Sequence, residues 1–217
     1  MPWQPKAVSL NDEASLLYVE SATFKLGDGK ARMMEDQKWP LACHEFGHAA
    51  IEWHFRDSLE DEGVVVDVAT GKGQFCVRTF YTAELIEETL RKTTDEQTRA
   101  IHIRAVERII IRLLGGPVAE YIARGWEPKR AIRFSSEYRF PDSDSSRIRE
   151  FLRGLTGKDD KQYQLRLQNE CKAILTEERT WRAVEHLAKM VLEHGQVLGP
   201  EIEAVFETFQ VPRTETW

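Results

Sequence analysis

Residues 39–55 read Trp-Pro-Leu-Ala-Cys-His-Glu-Phe-Gly-His-Ala-Ala-Ile-Glu-Trp-His-Phe. The run is helix-compatible and largely apolar, with a proline near its start, where a helix's first turn tolerates the missing N–H. It predicts a buried helix from Trp39 to about Phe55. Within it His44, Glu45 and His48 form an H-E-x-x-H pattern. Two histidines four apart lie on one helix face, about 6 Å apart along the axis, so both imidazoles can reach one metal ion. Neutral imidazole nitrogen suits zinc (Zn2+), and three protein ligands leave a fourth position for a water that the metal acidifies. Glu45 falls beside that water rather than on the metal. There it would take the water's proton and later protonate the leaving amine, with no covalent intermediate. Gly47 costs about 1 kcal/mol of helix propensity unless something packs close to it.

A third ligand is required, and the residues leave its identity open. His54 lies ten positions after His44, the metzincin spacing, but Ile51 stands where that pattern needs a glycine to let the chain leave the helix. On a continuous helix His54 would point about 80° away from His44 and lie about 9 Å beyond His48. It reads as a surface or core histidine. Glu120 on a later helix, or Asp142 or Asp144 at the start of another, could each supply a carboxylate.

Outward from this helix, Gly63–Val68 and Gln74–Phe80 read as a β-hairpin, with Thr70, Gly71, Lys72 and Gly73 as its turn. Ala83–Lys92 and Asp95 to about Ala123 read as helices, the second with its apolar pattern interrupted at Gly115 and Gly116. Gly125–Asp142 reads as loop. Ser143, Asp144 and Ser145 offer N-capping for a helix to about Leu155. A long heptad-like pattern from Leu165 to Leu192 ends near Gly195. A short helix over Pro200–Phe209 follows, with a frayed tail from Pro212.

The fold class expected is mainly α, in α+β form, with one small hairpin or sheet, in a single domain over 1–217. That domain divides into an N-terminal extension over about 1–35, a zinc-site region over 36–156 and C-terminal helices over 157–209. A net charge of -6 and a pI near 5.6 argue against a broad nucleic-acid or anionic-membrane surface. No secretory leader or membrane-spanning run is recognisable, so a cytoplasmic location is expected. Three cysteines, Cys43, Cys76 and Cys171, form no CxxC pair and suggest neither a disulfide framework nor a thiolate zinc site. Oligomeric state is left open.

Ala42-Cys43-His44-Glu45-Phe46-Gly47-His48-Ala49-Ala50 resembles the His-Glu-Ala-Gly-His-Ala segment of the FtsH-type ATP-dependent zinc metalloproteases, with Phe46 in place of an alanine. Leu114-Gly115-Gly116-Pro117-Val118-Ala119-Glu120 is similar to that family's Leu-Gly-Gly-Arg-x-Ala-Glu, with Pro117 in place of the arginine. Ser143-Asp144 is similar to its Asn-Asp pair. The likeness is at the level of motifs and spans most of Leu41–Phe206.

It implies a zincin-like helical peptidase domain with Asp144 as third zinc ligand and Asp142 as the fallback. Glu120 is then a candidate partner orienting a zinc histidine. The family's ATPase module is not represented, since the chain carries no glycine-rich phosphate loop. The resemblance therefore implies a metalloendopeptidase acting on flexible protein or peptide segments, or one that depends on a separate unfoldase or activator. The alternative is a catalytically silent zinc-binding regulatory or interaction module. Retention of Glu45 favours the enzyme, because a structural zinc site has no use for a base.

Overall fold

The computed structural model describes residues 35–55, 63–67, 72–75, 83–125, 143–158 and 160–214. They form seven helices and a small sheet: α1 (Glu35–His54), β1 (Val64–Asp67), β2 (Lys72–Phe75), α2 (Ala83–Lys92), α3 (Glu96–Ala123), α4 (Asp144–Thr156), α5 (Lys161–Leu175), α6 (Glu178–His194), β3 (Gln196–Val197) and α7 (Gly199–Thr208). The architecture is mainly helical, as expected. Among the described residues no helix is long and apolar enough to cross a membrane.

The first helix is the centre of the molecule. Ala42, Cys43, Phe46, Ala49, Ala50 and Ile51 are fully buried, because α3, α5, α6, α7 and the sheet all pack around it. A helix enclosed on all sides needs apolar residues on all sides, and this accounts for the composition of the 39–55 run. It begins earlier than the sequence suggests, at Glu35, so Pro40 sits inside the helix rather than at its first position.

The third helix runs unbroken through Gly115, Gly116 and Pro117. Local propensity opposes this, and tertiary packing overrides it. A Cβ on Gly47 would lie 2.4 Å from the Gly115 carbonyl oxygen, and one on Gly115 would lie 2.7 Å from that of Gly47. The backbones of α1 and α3 therefore touch where both helices carry glycine, and a single added methyl on either side would force them apart.

Three further expectations need correction. The second hairpin strand starts at Lys72, so Lys72 and Gly73 belong to β2 and not to the turn; the rest of the expected strand, residues 76–80, lies outside the described residues, as does the loop expected over 126–142. The long pattern after Gly157 is two helices, separated where the Glu177 carboxylate accepts the Thr180 N–H at 2.9 Å and starts α6 afresh. Beyond it, β3 pairs antiparallel with β1 to give the order β2-β1-β3.

The chain after Pro212 is also not frayed as far as Thr214. Val211 is buried, the Trp53 Nε1–H donates to its carbonyl at 3.2 Å, and the Thr214 N–H donates to the His54 carbonyl at 2.8 Å. Arg213 stacks over the Trp53 ring, so this segment clasps the end of α1.

Candidate metal centre

Three elements build the site. On α1, His44 and His48 project from one face, with ring centroids 5.1 Å apart. On α4, the Ser143 side chain accepts the Ser146 N–H and caps the helix, which makes Asp144 its first residue. A carboxylate there also gains from the positive end of the helix dipole. Asp144 Oδ2 lies 3.3 Å from His44 Nε2 and 3.3 Å from His48 Nε2. One ligand atom from each of the three residues falls within 4.8 Å of the others, a group able to hold a metal ion.

The third element is a stripe of α3 at positions 112, 116 and 120, four residues apart and so on one helix face. At one end the Arg112 carbonyl lies 2.7 Å from His48 Nδ1. A carbonyl can only accept, so Nδ1 donates to it and Nε2 is the nitrogen that faces Asp144. At the other end Glu120 Oε2 lies 3.4 Å from His44 Nδ1, while Arg124 holds the other carboxylate oxygen at 2.9 Å. Both imidazoles thus have an acceptor behind Nδ1 and turn Nε2 toward Asp144, the usual arrangement of metal-binding histidines.

Gly116 lies between these two ends. A Cβ there would stand 2.4 Å from both His44 Nε2 and His48 Nε2. It would also stand 2.5 Å from His44 Cδ2, over the ring rather than in line with the Nε2 lone pair, so the missing side chain is what lets α3 lie against both imidazoles. The donor set of two imidazoles and one carboxylate fits a divalent ion, and so does the electrostatics. Burial disfavours a charge on His44, but its hydrogen bonds to Asp144 and Glu120 and the nearby Glu45 outweigh burial and raise its pKa well above the ordinary imidazole value. Burial would raise Asp144, yet His48 and His44 hold it well below the usual carboxylate range. Three carboxylates around two imidazoles call for positive charge, which bound protons or a cation can supply.

Glu45 is 5% exposed and points toward β2, where a Cβ on Gly73 would meet its carboxylate. Burial raises its pKa, while His44 and His48 oppose the rise. His54 takes no part: its Nδ1 lies 3.2 Å from the Pro212 carbonyl oxygen, at the far end of α1. Asp142 lies outside the described residues. Cys43 and Cys171 are buried, and burial pushes both thiols up, so neither is poised as a reactive thiolate.

Sequence reading did not identify Arg112, whose contribution is a backbone atom and leaves no mark in residue type. Gly73 was visible only as turn material, since nothing local distinguishes a glycine that makes room for a functional group from one that makes a turn. No family model and no curated protein matches the chain.

Proposed function

We propose that the chain is a zinc-dependent metalloendopeptidase with a zincin-like peptidase fold, resembling the FtsH-type proteases, and that it acts on protein or peptide segments. The observation that carries this reading is the convergence of one Asp144 oxygen on both Nε2 atoms, with a buried carboxylate, Glu45, adjoining the cluster and belonging to no ligand pair. His44, His48 and Asp144 would hold the ion, which when bound supplies Lewis acidity toward a carbonyl and lowers the pKa of water at its open position.

The chain's own residues do the rest. Arg112 and Glu120 hold the two imidazoles in the tautomer that turns Nε2 forward. Glu45, neighbour to His44 on the helix, accepts a proton on its carboxylate as water adds to the peptide carbonyl. It then returns that proton to the departing amine nitrogen, which leaves the carboxylate ready for another cycle. Burial raises its pKa, which makes the carboxylate a stronger base toward water than an exposed glutamate while leaving it acidic enough to protonate an amine.

The test is cleavage of a labelled unfolded protein by the chain carrying one equivalent of zinc, wild type against Glu45→Gln at matched metal content. Cleavage by the wild type alone supports the reading. Equal cleavage by both removes Glu45 from the mechanism, and silence of both with zinc bound assigns the fold to a non-catalytic binding module.

A further inference from the structure

We infer that Gly73 of β2 is a positioning residue for Glu45: the strand's bare backbone is the seat against which the general base is held. This rests on the peptidase reading for its catalytic consequence, but its structural content stands on the packing alone.

The register places Gly73 opposite Val66 of β1. Residues directly opposite in an antiparallel pair share a face, and the alternation in β1 identifies it: Val64 and Val66 are buried while Val65 and Asp67 are exposed. Position 73 therefore looks inward, toward α1. An ideal Cβ at this position would come within 2.4 Å of Glu45 Oε1, 2.7 Å of its Cγ and 2.8 Å of its Cδ. All three nearest atoms belong to the Glu45 side chain. A glycine inside a strand loses backbone entropy and packs no side chain, and here that cost coincides with the approach of one carboxylate.

The consequence is directional. The α1 backbone fixes only the root of Glu45, and the buried carboxylate must be stopped from the side if it is to stay beside the metal ligands. Gly73 provides that stop. A methyl at this position would push the carboxylate away from the strand, leaving His44, His48 and Asp144 where they are. Misplacement by about 1 Å is enough to cost a catalytic group most of its effect.

Two measurements test this, one independent of activity. Folding stability is measured by thermal unfolding for wild type, Gly73→Ala, Glu45→Ala and the double variant. Gly73→Ala is expected to lower Tm by roughly 5 °C, the scale of one overpacked methyl in a chain of this size, and to cost nothing measurable when Glu45 is already alanine. An equal loss in both backgrounds overturns the inference, because the methyl would then clash with something other than Glu45. If Gly73→Ala alone does not fold, a folded double variant gives the same support and an unfolded one the same refutation.

The second measurement uses chain loaded with Co2+ or Zn2+. Gly73→Ala is expected to bind one equivalent with an unchanged Co2+ absorption spectrum and to show kcat reduced about 100-fold, the lower range for loss of general base catalysis, with KM within about twofold. Full activity, or loss of metal together with activity, overturns it. Should wild-type enzyme cleave nothing, the peptidase reading falls, and the stability cycle still decides whether Gly73 seats Glu45.

Discussion

His48 donates its Nδ1–H to the backbone carbonyl of Arg112, 2.7 Å away, and this one bond couples the two central helices to the chemistry of the site. As the numbering rises along α1 from His44 to His48 to Glu52, the facing positions on α3 fall from Glu120 to Gly116 to Arg112. The helices are therefore antiparallel at the site, and each histidine meets its own orienting group. Beyond His48 the Arg112 guanidinium pairs with the buried Glu52 carboxylate, its Nε–H donating to Oε1 at 2.6 Å, which ties the carbonyl's own residue back to α1.

The ligand assignment makes distinct demands on the carboxylates. Asp144→Ala is expected to weaken zinc binding by more than about 100-fold. Glu120→Gln, which keeps an acceptor but removes the negative charge behind His44, should weaken it by about tenfold, at the lower end of what orienting partners contribute. Competition against a chromophoric chelator separates the two. A larger loss from Glu120→Gln or from Asp142→Ala than from Asp144→Ala would transfer the third ligand elsewhere.

Gly116→Ala should abolish metal binding without unfolding the protein. The new methyl would stand 2.4 Å from both Nε2 atoms and 2.5 Å from His44 Cδ2, so both imidazoles must turn away from their ligand positions, while alanine is the better helix former by about 1 kcal/mol. Circular dichroism and metal stoichiometry on the same sample check this. A variant that binds one full equivalent of zinc would show that the ion does not depend on the two imidazoles keeping these positions.

A charge cluster outside the site, centred on the buried Glu107, sets the expected acid limit of the fold. Glu107 on α3 accepts from the Tyr163 hydroxyl at 2.6 Å and from Arg104 at 3.1 Å, and also pairs with Arg166 of α5. Burial alone would raise its pKa, but the hydrogen bonds from Tyr163, Arg104 and Arg166 outweigh it and bring the pKa below the ordinary glutamate value. Burial first, and then the hydrogen bond to Glu107 and its charge, push the Tyr163 phenol up to about 12 against the opposing effect of Arg166.

A carboxyl whose pKa is lower in the folded state contributes its full stabilisation above the unfolded value. It loses that contribution as pH falls through the folded one. Wild-type stability should therefore fall as pH drops below about 4.5, and Glu107→Gln should be less stable at neutral pH with a shallower fall. Denaturant titrations of both proteins at pH 7, 5 and 4 measure the difference. Parallel curves would remove Glu107 as the source.

The helical elements were legible where local signals agree. Ala83–Lys92 is an amphipathic stretch with charged ends and folds as read. Ser143 and Gly157 bracket α4 as N-cap and left-handed C-cap, and Gly195 closes α6 in the same way. Legibility failed where a distant contact reversed a local preference. Gly73, read as turn, instead pairs with Val66 in the sheet and packs on Glu45, whereas Gly115–Gly116–Pro117 lies within the stretch read as helix. The strand β3 carries only two residues, and its pairing with Val64 and Val65 depends on where α6 ends.

For the site, the sequence by itself determined that His44 and His48 share one helix face with Glu45 beside them, because helical periodicity alone dictates that geometry once the run is helical. Only the tertiary structure decided what stands opposite. It brought Asp144 to both Nε2 atoms across a hundred residues, set the Arg112 carbonyl and Glu120 behind the two imidazoles, and laid the bare Gly116 backbone against both rings. Those relations depend on the crossing of α1 and α3 and on the position of α4. They follow from the packing of whole helices, which no local spacing of residues encodes.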